Sequence, residues 1–447
     1  MFTFANRHFT LSSSLTIGFV AVILIGAALL TLPIATVDGV ESSFITALFT
    51  STSATCVTGL TLVHTATYWS FFGQFVIMML SEIGGLGFMT FMVLMFTTAR
   101  RKLRLSTQLL AQESLNLQHL SQIRLVKLIV NLSLGIQGLG ALLLFFDFYP
   151  KYGWLKGLWY SVFHSVSAFC NAGFSLFDNS ISDFQNNTYV LTVLGLLILS
   201  GSVGFLVWRD LLTYPKRHHL SLHTKLSLRT GAVITTLSII LYWFTESGFA
   251  NITPGASTFH KVVNTIFMGV TPRTAGLTTF DYTNLSLAGI FLTMLLMFIG
   301  GTPGSTAGGI KSTTIGLLAI QTWATLRGQH DVVFSNRRFP RENIYRALTL
   351  VVVGLTIVAA ATFFLCMTQP LTKKMGLEYI IFEVLAAFGT TGISLGLTEH
   401  LTLLGKIIIM LMMFIGRVGI FNVMYTVLNA HSHQADIRYP EESVLIG

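Results

Sequence analysis

Charge is what this sequence lacks. Of its 447 residues only 10% are Asp, Glu, Lys or Arg, and just 18 are acidic. A soluble chain would carry roughly a quarter charged residues, so a water-soluble fold is excluded. Cysteine is scarce too. Cys56, Cys170 and Cys366 stand far apart without a C-x-x-C, which leaves no disulfide framework and no zinc site. There is no Ser/His/Asp set, H-E-x-x-H or Walker A motif, so an enzyme is not expected. What is present is apolar: 52% of the residues are hydrophobic and the mean hydropathy is +0.70. That composition reads as a polytopic membrane protein. The uncharged run Leu15–Ile34 is long enough to cross a bilayer and lacks a cleavage site, so it is kept as a span.

The net charge of +9 is distributed in bursts. One comprises Arg100, Arg101, Lys102, Arg104, Arg124 and Lys127; another Arg209, Lys216, Arg217, Lys225 and Arg229; a third Arg327, Arg337, Arg338, Arg341 and Arg346. Acidic residues such as Asp38, Asp147, Asp178, Glu246, Asp281 and Glu399 lie outside them. This is an orientation signal with basic loops in the cytoplasm, not a nucleic-acid footprint. His218, His219 and His223 fall in such a loop, and a solvated loop is favoured there over a metal site. The basic loops could dock an acidic partner or anionic membrane lipid.

Four segments share one pattern. They are Thr55-Cys56-Val57-Thr58-Gly59, Phe169-Cys170-Asn171-Ala172-Gly173, Pro272-Arg273-Thr274-Ala275-Gly276 and Phe388-Gly389-Thr390-Thr391-Gly392. Each glycine is followed by a large apolar residue and then Ser or Thr, and the glycines are spaced by 114, 103 and 116 residues. Ten residues earlier stand Phe49, Phe163, Ile266 and Phe382. Downstream, G-x-x-G recurs at Gly84/Gly87, Gly201/Gly204, Gly301/Gly304 and Gly416/Gly419. Repetition at this period signals internal repeats. Each unit reads as long helix, short helix, glycine turn, long helix.

The short helices are expected over Ser42–Ala54, Gly157–Ala168, Thr258–Gly269 and Leu377–Ala387. Each is about 18 Å long, too short to span, so each dips in and returns. The expected fold is an all-α polytopic membrane protein of eight spans and four re-entrant hairpins around one central pore. It forms a single transmembrane domain over 1–447, with repeats 12–99, 121–212, 225–326 and 343–428 and a cytoplasmic tail 429–447. Both termini lie in the cytoplasm.

Irregular backbone survives at membrane depth only when it is shielded or lines a wet cavity. Glycine admits conformations that let successive carbonyls face one axis. A carbonyl ring replaces the hydration shell of an alkali cation, and helix C-termini aimed at the ring favour positive charge. The candidate cation-binding residues are therefore Val57, Thr58 and Gly59; Asn171, Ala172 and Gly173; Thr274, Ala275 and Gly276; and Thr390, Thr391 and Gly392. None is ionisable.

These turns resemble those of the Trk/Ktr/HKT superfamily of cation transporters. So do Gly300-Gly301-Thr302-Pro303-Gly304-Ser305-Thr306-Ala307-Gly308-Gly309-Ile310-Lys311 and Phe414-Ile415-Gly416-Arg417-Val418-Gly419. Within it the chain is most similar to the KtrB branch. Eight spans leave no room for the extra N-terminal pair of TrkH-type proteins, and the terminal Tyr439–Leu445 is KtrB-like. The resemblance implies K+ uptake across the bacterial plasma membrane, aided by Na+. It also implies a homodimer with one pore per subunit and a cytoplasmic KtrA-type regulatory ring that carries ATP or ADP. Na+-preferring plant relatives have serine at the first glycine, so Gly59 argues for K+. Potassium channels carry two glycines per filter strand; one here implies looser selectivity.

The decade 300–309 holds five glycines and a proline inside the helix expected over Thr283–Leu326, too costly for continuous helix. The resemblance makes this break the gate, through Gly300, Gly301, Thr302, Pro303, Gly304, Ser305, Thr306, Ala307, Gly308, Gly309 and Lys311. As a phosphate loop it has one residue too many before Lys311, so no nucleotide site is expected in this chain. Arg417 interrupts an uncharged apolar run, and a membrane-buried charge is by default functional. It is expected to be an electrostatic barrier or loop anchor, with a structural pair to Glu82 as the alternative. Glu383 and Arg273 could pair likewise.

Three rival functions stay open. One is a Na+-preferring or nonselective channel. Another is a solute transporter, which would need paired helix breaks, whereas only the third unit shows a long one. The last is an intramembrane enzyme using Glu82 and His164.

Overall fold

The structure is a computed structural model that describes residues 11–87, 122–246, 257–329, 331–370 and 375–420. The basic group 100–104, the ends of the first and last repeats and the tail 429–447 lie outside these residues.

The described residues fold into four units of the same order. The first has α1 (Leu11–Thr31), α2 (Phe44–Thr55) and α3 (Phe71–Leu86). The second has α4 (Gln122–Tyr152), α5 (Trp154–Cys170), α6 (Thr188–Ser202) and α7 (Phe205–Arg217). The third has α8 (Leu222–Thr245), α9 (Thr258–Val270), α10 (Leu287–Phe298) and α11 (Ser312–Leu326). The fourth has α12 (Arg341–Thr368), α13 (Leu377–Phe388) and α14 (Leu403–Val418). A small hairpin pairs Val333–Phe334 with Arg337–Arg338. Its Ser335 and Asn336 both have positive φ, as a tight two-residue turn requires.

Length and apolar composition suffice for a membrane crossing at Val126–Tyr152, Leu222–Thr245 and Arg341–Thr368, and α6 and α7 make a fourth stretch bent by 97°. The outward faces are apolar. Leu142, Phe146, Val233, Phe244, Phe363 and Met367 are all more than half exposed, which water would penalise and lipid does not. The second long helix of each unit starts at a capping side chain: Ser70, Asn187, Ser286 and Thr402 each accept from an amide three residues on.

Packing closes the units into a ring. Helix α3 lies on α5, α6 on α9, α10 on α13, and α14 on α2. Thus every short helix is sandwiched by the unit before it. The two apolar cores reflect this, because Phe49 packs with the fourth unit and Phe267 with the second.

The G-x-x-G pairs mark where each second long helix ends or breaks. A side chain at Gly84, Gly201 or Gly416 would strike the carbonyl of Thr55, Phe169 or Phe388 respectively. The glycines let that helix touch the end of its own short helix, backbone to backbone.

Two local departures from the repeat pattern stand out. In the third unit Ile266 is 45% exposed, and Phe267, at 3%, takes the place of the buried aromatic. Pro272 is the reason: it ends α9 early and inserts a 3-10 turn, Thr271–Arg273, before the glycine turn. The second unit also bends, at the short break 203–204 between α6 and α7, while the long break lies in the third unit, between Phe298 and Ser312.

Candidate functional site

The four turns meet at one point. Gly59, Gly173, Gly276 and Gly392 have φ of 90, 74, 72 and 79°. Two residues earlier in each strand, Val57, Asn171, Thr274 and Thr390 also have positive φ, with the residue between them outside that region. Alternating handedness turns successive carbonyls to the same side. Holding β-branched Val57 and Thr390 left-handed costs roughly 1–2 kcal/mol each.

The helix ends impose this geometry. In three units the same two bonds close the short helix. Val57 N donates to Ala54 O and Thr58 N to Ser53 O at 3.1 and 2.8 Å. Asn171 and Ala172 repeat the pair at 3.2 and 2.8 Å, and Thr390 and Thr391 at 3.1 and 2.8 Å. This is the Schellman closure, with Val, Asn or Thr where glycine is usual. In the third unit Thr274 and Ala275 both donate to Thr271 O.

Around the axis the strands nearly touch. A β-carbon on Gly59 would lie 2.7 Å from Ala172 O, and one on Gly173 would lie 3.2 Å from Ala275 O. On Gly276 it would strike Thr391 O, and on Gly392 it would strike Thr58 O. The ring therefore runs 59, 173, 276, 392 and back, with a carbonyl at each junction. Each unit also leaves a buried side-chain oxygen without a hydrogen-bond partner among the described residues: Thr58 Oγ1, Asn171 Oδ1, Thr274 Oγ1 and Thr390 Oγ1. Buried polar atoms are normally satisfied, so these are acceptors suited to a cation or its water.

All four glycines line one cavity of about 220 Å3, which also receives Ser175, Ser394, Asp178 and Asp281. Residues after the glycines face this mouth. Residues before them face the 300–311 loop, which crosses the other side of the ring. Thr306 Oγ1 accepts from Asn171 Nδ2 at 2.7 Å, and a side chain on Gly308 would collide with Thr390.

The loop docks on the bend of the second unit. Thr302 N donates to Ser202 O at 3.1 Å, Thr306 N to Gly201 O at 3.2 Å, and Phe205 N to Gly304 O at 2.9 Å. Thr302 Oγ1 caps Gly204 N, and Gly309 N reaches Gly416 O of the fourth unit at 3.2 Å. Lys311 Nζ folds back onto Ala307 O at 2.6 Å, and Ser305 Oγ onto Thr302 O at 2.7 Å. Gly300 N pairs with Ile310 O at 2.8 Å, and Ser312 N with Gly301 O at 2.9 Å. These two bonds pinch the loop's base, and Pro303 lies in the arm resting against Gly204.

Arg417 ties this assembly together. It donates to Thr306 O of the loop and to Gly84 O, and to Gly85 O at 2.9 Å. Its partners are carbonyls, and the expected alternative pair with Glu82 does not form. Glu82 Oε2 instead accepts from Gln137 Nε2 at 2.8 Å and from the Cys170 thiol at 3.1 Å. Glu383 and Arg273 do not pair either. Glu383 accepts from Ser394 and Thr398, while Arg273 donates to Thr235 Oγ1 at 2.7 Å.

Comparison with known proteins identifies the family. Residues 10–436 match the family model described as TrkH: cation transport protein. The chain belongs to that family of cation transport proteins. Among similar proteins is the potassium/sodium uptake protein NtpJ of Enterococcus hirae, 46% identical, with 96% of each chain covered. Another is the Ktr system potassium uptake protein B of Bacillus subtilis, 40% identical over 98% of this chain and 97% of that one. The Vibrio alginolyticus protein of the same description is 35% identical, covering 96% and 94%. The crystal structure of the potassium transporter TrkH from Vibrio parahaemolyticus superposes with a TM-score of 0.71 at 19% identity, covering 93% of this chain and 85% of that one. At that identity it shows the shared fold. A family of ion transporters with apolar helices makes this a multi-pass membrane protein.

Proposed function

We propose that the chain takes K+ up across a bacterial plasma membrane through the ring of Gly59, Gly173, Gly276 and Gly392. The observation that carries this reading is the closure of the ring, with a carbonyl of Thr58, Ala172, Ala275 or Thr391 at every junction. Carbonyl dipoles replace ion hydration without any fixed charge. Four short helices aim their C-termini at the same point, adding negative potential. K+ enters from the mouth cavity, sheds water into Val57–Gly59, Asn171–Gly173, Thr274–Gly276 and Thr390–Gly392, and leaves past the loop. A negative interior supplies about 2.3 kcal/mol per charge per 100 mV, so no chemical step is needed.

The loop Gly300–Lys311 is the gate and Arg417 its anchor. Docked as described, it stands on the ion's path beyond the ring. The similar Ktr proteins are named as parts of a system, which supports a cytoplasmic KtrA-type ring as regulatory partner and the nucleotide site on that ring. A homodimer and cytoplasmic termini complete this reading. A second reading has a specific support: the relative at 46% identity is named for potassium and sodium, so Na+ is either a coupled ion or a competing one.

The test is growth and uptake in cells stripped of their own K+ uptake systems. The expected result is growth at low K+ and K+ accumulation that exceeds Na+ accumulation. Absence of cation uptake, with a ring partner also supplied, would return the solute-transporter reading.

A further inference from the structure

Two buried polar side chains behind the ring have no part in the path above. His164 stands nine residues before Gly173, and Glu383 nine before Gly392. Both are fully buried on their short helices. Each reaches the hydroxyl two residues past its own glycine. Glu383 Oε2 accepts from Ser394 Oγ at 2.7 Å, and its other oxygen accepts from Thr398 Oγ1. His164 Nε2 meets Ser175 Oγ at 3.1 Å and accepts from Leu176 N at 3.3 Å, while Nδ1 donates to Tyr160 O at 2.7 Å. The serines then make the same turn: Ser175 Oγ accepts from Phe177 N at 3.1 Å, and Ser394 Oγ from Gly396 N at 3.0 Å.

The other two units lack this strut. The equivalent positions are Thr50 and, with the one-residue shift of the third short helix, Met268. The Thr50 hydroxyl has no partner among the described residues, and methionine offers no hydrogen-bonding nitrogen or oxygen. Because the ring runs 59, 173, 276, 392, the braced units face each other across it. Four similar turns thus carry a two-fold scaffold.

We propose that His164 and Glu383 are positioning residues that hold opposite strands of the mouth apart and so set the discrimination of K+ from Na+ along that diagonal. This rests on reading the ring as the ion filter. A brace from a packed helix stops its strand from closing on the smaller ion. Glu383 holds two hydroxyls beyond its glycine, those of Ser394 and Thr398, where His164 holds one, so Glu383 contributes more than His164.

The test is the ratio of K+ to Na+ uptake, measured side by side in the full-length protein. In Glu383→Ala the ratio falls about tenfold, and in His164→Ala about threefold, the size expected for losing one or two such bonds. Glu383→Gln, whose amide oxygen still accepts, recovers most of it. Thr50→Ala leaves it unchanged. Ser394→Ala cuts the same bond from the other end and serves if Glu383→Ala fails to fold. A ratio unmoved in Glu383→Ala and Ser394→Ala, with only total uptake lowered, would mean packing alone and overturn the proposal. Gly59→Ser separates the two layers. If it shifts the ratio while the strut variants do not, the filter stands and the struts fall. If none shifts it, the filter reading falls as well.

Discussion

Removing the Arg417 side chain should open the pathway. Its guanidinium makes three hydrogen bonds, but only the one to Thr306 O reaches the loop; the other two hold the end of α3 at Gly84 and Gly85. A hydrogen bond from a charged donor contributes about 1.5–3 kcal/mol. The docked loop in Arg417→Ala should therefore lose about that much relative to an undocked one. This is about a 10- to 150-fold shift in the ratio of the two states. The loop's remaining bonds to Gly201, Ser202, Gly204 and Gly416 are untouched. The assay is K+ flux into liposomes holding the purified protein without a regulatory partner, with thermal unfolding followed alongside. Resting flux should rise severalfold or more. Arg417→Lys should fall between, since one ammonium cannot span carbonyls on two elements as a planar fork does. Unchanged or reduced flux together with a lower unfolding temperature would refute the anchor and make Arg417 a structural brace.

Other expectations come from the same contacts. Glu82→Gln should not raise resting flux as Arg417→Ala does, because Glu82 bonds Gln137 and Cys170 and not the arginine; the same liposome assay decides. Asn171→Ala and Thr306→Val cut the 2.7 Å bond between ring and loop, so their effects on flux should be non-additive by about 1 kcal/mol in a double-mutant cycle. Gly416→Ala drives a β-carbon into Phe388 O, and overpacking of this kind costs about 1–3 kcal/mol. A lower unfolding temperature in detergent would register it.

Much of the fold was legible because it is repeated. The four glycines, their short helices and the G-x-x-G pairs were each supported by three other copies, and the short helices lie within about three residues of the expected bounds. The 300–309 break was legible because five glycines and a proline cannot stay helical. What escaped notice depends on backbone acceptors, which a sequence does not display. Arg417 has three carbonyl partners, whereas sequence offers only carboxylates such as Glu82 as visible candidates. The bend at Gly201–Gly204 looks like the other G-x-x-G pairs; it opens because the third unit's loop supplies hydrogen bonds to that stretch. Ile266 keeps the sequence spacing of the buried aromatics but not their place, because Pro272 shifts one helix end by a fraction of a turn. The struts at His164 and Glu383 were visible as polar residues in apolar helices, but their shared offset from the glycines acquires meaning only once the ring order is known.

The central claim is that four glycine turns form one potassium filter. The most direct measurement compares K+ and Na+ uptake by the wild-type chain and Gly59→Ser in cells without their own K+ uptake systems. A serine β-carbon there would sit 2.7 Å from Ala172 O and 2.9 Å from the Cα of Gly173, so the ring must widen or distort. The account predicts strong K+ preference in the wild type and a markedly weaker one in the variant at similar protein levels. Equal ion preference in the two proteins would contradict it.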